Sequence, residues 1–229
     1  NGGSFVTVAI SSDTLVSGTG VTGSIVVPVN NTLMCIKVTA TKWMANYLFQ
    51  NNPLASQVLA VAHNTTPFIS AYPWSNTGFG VKFTNPATLP VGQARSVAFT
   101  SSGNAIAVTH DTTPFVSAYP WSGAGFGVKY ANPATLPSAN GYGVTFTSSG
   151  NAIAVAHSLS PFVSAYPWSS SGFGTKFADP ATTPTGNGNG VAFNSAGTAI
   201  AVAHTTSPRI SAYPWSGAGF GVKYANPAT

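Results

Sequence analysis

Glutamate is missing from this chain altogether, and Asp13, Asp111 and Asp179 are its only acids. With charged residues at 5%, the surface must stay wet through hydroxyls, amides and backbone groups rather than ions. Paired-carboxylate catalysis has little to draw on, because the three Asp fall at unrelated points of the sequence. Cysteine is as scarce. Cys35 stands alone, which excludes an internal disulfide framework and a thiolate metal cluster. No apolar run reaches the ~18 residues of a membrane span, and the chain opens at Asn1 without the charged-then-apolar pattern of a secretory signal. The cations Lys37, Lys42, Lys82, Lys129, Lys176, Lys223, Arg95 and Arg209 give a formal charge of +5. They are dispersed, whereas nucleic-acid surfaces gather basic residues into a stripe, so nucleic acid is not an expected partner.

What the chain does have is repetition. Trp74, Trp121, Trp168 and Trp215 recur every 47 residues, as do His63, His110, His157 and His204. A fixed period of this length decides the architecture before any local assignment does. Each unit reads in order as VAFTSSGN, AIAVTH, PFVSAYPWS and GFGVKYANPAT, quoted from Val97 to Thr135. Four short runs rich in β-branched and aromatic residues, each bounded by Gly, Pro, Ser or Asn, predict four strands per unit and no helix. The turn Ser101-Ser102-Gly103-Asn104 tolerates positive φ and suits a tight hairpin. The longer segment 132–143 suits a connection between units. Four strands of meander per 47 residues make a blade.

The fold expected is therefore an all-β, single-domain β-propeller over 1–229, with four-stranded antiparallel blades at 46–83, 96–130, 143–177 and 190–224. Residues 4–38 complete the count. Pro28, Asn31, Thr32 and Lys37 match Pro73, Asn76, Thr77 and Lys82 at a 45-residue offset, and Val8–Val16 is similar to Val97–Ile106 with one residue lost. That makes 4–38 a degenerate first blade and the ring five-bladed; an unrelated β arm or docking segment is the alternative.

Tyr72, Tyr119, Tyr166 and Tyr213 join the four Trp in the motif SAYPWS. Aromatic platforms stack on sugars, and a ring of equal sites gives avidity, so these eight residues are the candidate ligand-binding set. The competing reading is packing, since Tyr and Trp two apart share one strand face. The four His are too widely spaced around a ring to reach one zinc at ~2.0–2.1 Å; no metal or cofactor is expected. His110-Asp111 occurs in one unit only, without a strained nucleophile turn, and no catalytic residue is assigned. The four repeated Lys fall in the fourth run, where a charge discourages edge-to-edge pairing.

The pattern VAFxxxGxxIAVxH followed by PxVSxYxW, carried again by Val191–Gly197, resembles the WD40-like or YVTN-like propeller repeat over about three quarters of the chain. Tyr119-Pro120 stands where the WD family has its Trp-Asp pair. Nearly identical repeats of this looser kind resemble propellers of bacteriophage and bacterial proteins. That resemblance implies a non-catalytic structural or interaction propeller, virion- or surface-associated, with capsid or tail proteins as partners. A lectin-like propeller binding surface glycan with one site per blade is the alternative, and a propeller enzyme with chemistry in the central channel the third possibility. The check on the third is a carboxylate-bearing polar cluster at the channel.

Overall fold

The computed structural model describes residues 57–228 continuously and, before them, the backbone of five strands. These are β1 (Ile10–Ser11), β2 (Thr14–Leu15), β3 (Ile25–Val26), β4 (Thr32–Lys37) and β5 (Trp43–Phe49). Two compact units result, 1–56 and 57–229. In the first, β1, β2 and β3 form a three-stranded antiparallel sheet, and β4 and β5 a hairpin from Thr32↔Phe49 to Lys37↔Trp43. The proposed match of 28–38 to 73–83 falls partly outside the described residues, as does Asp13.

The second unit is built from repeated antiparallel sheets, and the all-β, propeller-like expectation holds. Its first sheet has three strands, β6 (Gln57–Ala62), β7 (Ile69–Ser75) and β8 (Gly78–Phe79). Three four-stranded sheets follow. They are β9 (Ala94–Phe99), β10 (Ala105–His110), β11 (Val116–Ser122) and β12 (Gly125–Phe126); β13 (Gly141–Phe146), β14 (Ala152–His157), β15 (Val163–Ser169) and β16 (Gly172–Phe173); and β17 (Gly188–Phe193), β18 (Ala199–His204), β19 (Ile210–Ser216) and β20 (Gly219–Phe220). The strand expected to open the 46–83 blade, β5, pairs with β4 rather than β6.

Each hairpin turn between first and second strands is closed by one side chain. Thr100 Oγ1 accepts from the Asn104 and Ala105 amides, both at 3.1 Å, and Thr147 repeats this with Asn151 and Ala152. In the last sheet Asn194 Oδ1 does the same work for Thr198 and Ala199 at 2.8 and 3.0 Å. Gly103, Gly150 and Gly197 adopt left-handed φ of 66–67° in these turns, a conformation that a side chain would strain.

The fourth strand is shorter than its run of apolar residues predicts. Pro120 is turned toward β12, where its carbonyl accepts from Gly127 N–H at 2.8 Å, but it has no N–H to return the bond. Pairing resumes only at Tyr130 N–H to Ala118 O, 2.9 Å, one residue out of register, which marks a bulge. Lys129 lies in that bulge and donates to Asn132; Lys176 does the same to Asp179 and Lys223 to Asn226. Three of the four repeated lysines are thus tied to their own loops rather than standing free along an edge.

Packing between sheets follows a single rule. Each sheet turns a face of small residues, such as Ala105, Ala107, Val116 and Ala118, onto the aromatic face of the next, such as Ile153, Val155, Tyr166 and Trp168. Tyr119, Tyr166 and Tyr213 are fully buried and donate to the carbonyls of Thr88, Thr135 and Thr182, in the segment that precedes their own sheet, at 2.8–2.9 Å. First strands face first strands: Val144 N–H donates to Ser96 Oγ at 3.4 Å, and a Cβ on Gly143 would lie 2.9 Å from Gly190 Cα. Strands β9, β13 and β17 therefore form the innermost layer.

Candidate functional site

The eight aromatic residues expected to hold ligand divide by burial. Trp121, Trp168 and Trp215 are 7–9% exposed, and each meets three rings edge-on. For Trp168 the rings are Tyr130 at 5.2 Å, Phe146 at 5.1 Å and Phe173 at 5.0 Å, with the first contributed by the preceding sheet. Trp121 and Trp215 repeat the arrangement with Phe83, Phe99 and Phe126, and with Phe177, Phe193 and Phe220. Edge-to-face clusters of this kind are packing geometry. Tyr119, Tyr166 and Tyr213 are buried with them, and desolvation raises their phenol pKa values above the ordinary 10. Trp74 is exposed and Tyr72 half-buried.

Three of the four repeated His, His110, His157 and His204, are interior as well. His110 Nδ1 lies 2.7 Å from the Thr112 carbonyl and so carries the proton, leaving Nε2 to accept from Ser117 Oγ at 3.1 Å. His157 and Ser164, and His204 and Ser211, repeat the Nε2 contact at 3.0 and 3.1 Å. Burial lowers the pKa of His110, and that of His157 to about 4. Each pair superficially matches a base and its nucleophile, yet Ser117 and Ser164 are at most 1% exposed, and no substrate carbonyl could reach them. Among the described residues no group of three His, Cys, Asp or Glu converges as a metal site would require.

Chemistry that faces solvent gathers at the opposite end of the first strands from the hairpin turns. Each innermost strand begins with a bulge: between Thr109 and His110 on the partner strand, Arg95 is the extra residue of β9; Tyr142 is the extra residue of β13, and Asn189 of β17. Bulges re-aim a side chain and are enriched beside active sites. Asp111 follows immediately after β10. Its Oδ1 accepts from Gln93 N–H at 3.0 Å and from Thr112 Oγ1 at 3.1 Å, and Oδ2 lies 3.8 Å from Arg95 Nη2. The Arg95 guanidinium sits 5.0 Å from the Tyr142 ring centroid. Asp111 is partly shielded and Arg95 more open, with side chains 23% and 37% exposed.

This arrangement holds a carboxylate by two hydrogen bonds on one oxygen and leaves the other facing a cation at a loose distance. Such a carboxylate can take a proton from water. The guanidinium, braced on an aromatic face, retains donors for an anionic group of a ligand. Asp111, Arg95 and Tyr142 were not assigned by sequence reasoning. Their one signal is departure from the repeat: the positions equivalent to Asp111 hold Asn64, Ser158 and Thr205, and those equivalent to Arg95 hold Tyr142 and Asn189. At the turn end, Ser102, Asn104, Tyr130, Ser149, Trp168 and Ser169 line a groove of about 290 Å³ that contains no charged side chain.

No family model matches this chain, and no curated protein sequence does. Among solved structures, the fold is similar to that of a protein from Bacteroides uniformis ATCC 8492 described as a "putative 6-phosphogluconolactonase", with a TM-score of 0.56 and 16% identity over 74% of this chain. The matched region spans about half of that structure, 54% of its length. At this identity the likeness is one of fold. It overturns the expectation of a non-catalytic virion or surface propeller, with a glycan-binding one as alternative, because the matching scaffold is described as an enzyme and is not a phage protein.

Proposed function

We propose that the chain is a propeller hydrolase that opens a small sugar-derived lactone carrying an anionic group, with its chemistry at the Asp111, Arg95 and Tyr142 cluster. The observation that carries this reading is the carboxylate beside a guanidinium at the mouth of the innermost strands. The fold likeness supports the reaction class. Asp111 takes a proton from water as the water oxygen attacks the lactone carbonyl carbon. The ring C–O bond then breaks as protonated Asp111 returns that proton to the ring oxygen, which leaves as a hydroxyl and gives an open-chain carboxylic acid. Arg95 binds the phosphate or other anion of the substrate, and Tyr142 holds the guanidinium flat and offers a ring for the sugar face.

A positioned general base contributes ~10²–10⁴-fold, and this sets the test. Hydrolysis of 6-phosphogluconolactone and of unphosphorylated gluconolactone is followed by pH-stat against the spontaneous rate. Asp111→Asn should lower kcat at least ~100-fold. Arg95→Gln should raise KM for the phosphorylated substrate while leaving the unphosphorylated one nearly unchanged. Wild-type turnover no faster than the spontaneous rate, or full turnover in Asp111→Asn, would overturn the proposal.

A further inference from the structure

The main chain holds Asp111 in a way that the other sheets do not repeat. Asp111 N–H donates to the Gln93 carbonyl at 3.1 Å, and Gln93 N–H returns a bond to Asp111 Oδ1 at 3.0 Å. The first of these bonds recurs from Ser158 to Asn140 and from Thr205 to Asn187. The return bond is made, among the described residues, by Asp111 alone. Immediately before Gln93, Gly92 has a left-handed φ of 84°, whereas Ala139 and Gly186 at the equivalent positions do not. A Cβ on Gly92 would lie 2.5 Å from Asp111 Oδ1 and closer still to Thr112 Oγ1. These two oxygens fill the space that a side chain would take. Thr112 is itself anchored, its carbonyl accepting from His110 Nδ1 at 2.7 Å.

We propose that Gly92 and Thr112 are positioning residues for the general base: they fix Asp111 through Oδ1, so that Oδ2 is the oxygen that takes the proton from water. The inference rests on the hydrolase reading above. Oδ1 already accepts from the Gln93 amide and from Thr112 Oγ1, and each donor occupies one of its lone pairs. Oδ2 faces Arg95 Nη2 at the loose distance of 3.8 Å and keeps its lone pairs for the water. As the water oxygen bonds to the lactone carbonyl carbon, its proton goes to Oδ2, and Oδ2 later passes it to the ring oxygen. Where no carboxylate must be seated, the requirement lapses: Ala139 carries the Cβ that Gly92 lacks, in a sheet with Ser158 in place of Asp111. Gly92→Ala would set its new methyl against the ends of two side chains, which retreat by ~1 Å to regain ordinary contact. The carboxylate moves and the sheet stands.

Turnover of 6-phosphogluconolactone and amide hydrogen exchange on the full chain test this together. A carboxylate misplaced by ~1 Å in Gly92→Ala should cost about 100-fold in kcat. Thr112→Val removes one donor to the carboxylate and should cost about tenfold, while Thr112→Ser keeps the hydroxyl and should keep kcat. KM should stay unchanged in all three, because Arg95 is untouched. Gly186→Ala makes the same kind of clash with Thr205 and Thr206 in the last sheet and should leave kcat as in the wild type. The second readout needs no turnover: exchange of the Gln93 amide, followed by NMR, should be at least ~10-fold faster in Gly92→Ala than in the wild type. Circular dichroism checks the fold; if Gly92→Ala fails it, Thr112→Val and Thr112→Ser decide. Wild-type turnover at the spontaneous rate overturns the hydrolase reading and this inference with it. An active wild type and an inactive Asp111→Asn, with full kcat in Gly92→Ala and Thr112→Val, overturn the inference alone. So does a Gln93 amide whose exchange Gly92→Ala leaves unchanged, or a Gly186→Ala as impaired as Gly92→Ala.

Discussion

Acidification should destabilise this protein through His157 and His110, the two histidines whose pKa burial lowers. The chain has four His and three acids, so the carboxylates that dominate acid denaturation in most proteins are nearly absent. His157 is fully buried against Ser164, and burial drives its pKa from 6.5 to about 4. The unfolded chain takes up a proton near pH 6.5, whereas the folded chain resists until about pH 4. Between these values the unfolded state binds more protons, so stability is fully present above pH 6.5 and is lost as pH falls toward 4. At ~1.36 kcal/mol per pH unit the loss from His157 comes to about 3 kcal/mol, most of it above pH 4.5. His110, also lowered by burial, adds in the same direction. Urea unfolding at half-unit steps from pH 7.5 to 4.5 measures the sum. His157→Gln, whatever it costs at pH 7.5, should show a shallower slope. A wild-type stability that changes by less than about 1 kcal/mol over this interval would refute the assignment of His157 as a buried neutral base.

Three further outcomes follow from the packing. Tyr166→Phe removes the donor to the Thr135 carbonyl and should cost about 1–2 kcal/mol in urea unfolding, as a part-buried carbonyl loses its partner. Thr147→Ala, which leaves the Asn151 and Ala152 amides uncapped, should cost about 1–2 kcal/mol, while Thr147→Asn should recover most of that, because Asn194 performs the same task in the last sheet. Trp168→Ala should cost about 3–5 kcal/mol by thermal or urea unfolding, since three rings lose the indole they pack on.

The architecture was legible because the repeat states it four times. Trp121 and Tyr119 sit two apart in a strand, and one strand face buries both against the neighbouring sheet. Periodicity therefore gave the repeated antiparallel sheets and their hairpin turns, but not the make-up of the 46–83 blade, whose expected opening strand pairs with β4. Nor did it give the point at which the fourth strand stops. Val128 and Lys129 read as strand, yet Pro120, opposite the Gly127 that precedes them, lacks the N–H that would carry the ladder on. That loss is a property of the pairing register, which a linear pattern of apolar residues does not contain. The role of His110 was half legible: the spacing ruled out a shared metal, but the partner Ser117 emerges only when β10 and β11 are laid side by side.

The functional cluster was illegible for a different reason, which follows from repetition itself. A repeated residue must satisfy the same environment in every sheet, and the environment common to all sheets is the junction between them. Repetition therefore marks core, and so Trp74, Trp121, Trp168 and Trp215 drew attention as a ligand set although three of them serve packing. A single catalytic centre needs the reverse. It must place different groups at equivalent positions around one axis so that they converge on one substrate. Arg95, Tyr142 and Asn189 are different groups at three equivalent bulges, and Asp111 stands where the other sheets carry Asn, Ser or Thr. In a chain with three acids, the one that breaks the repeat beside an arginine that also breaks it is the more informative signal. The active-site hypothesis thus rests on the positions where otherwise equivalent sheets differ.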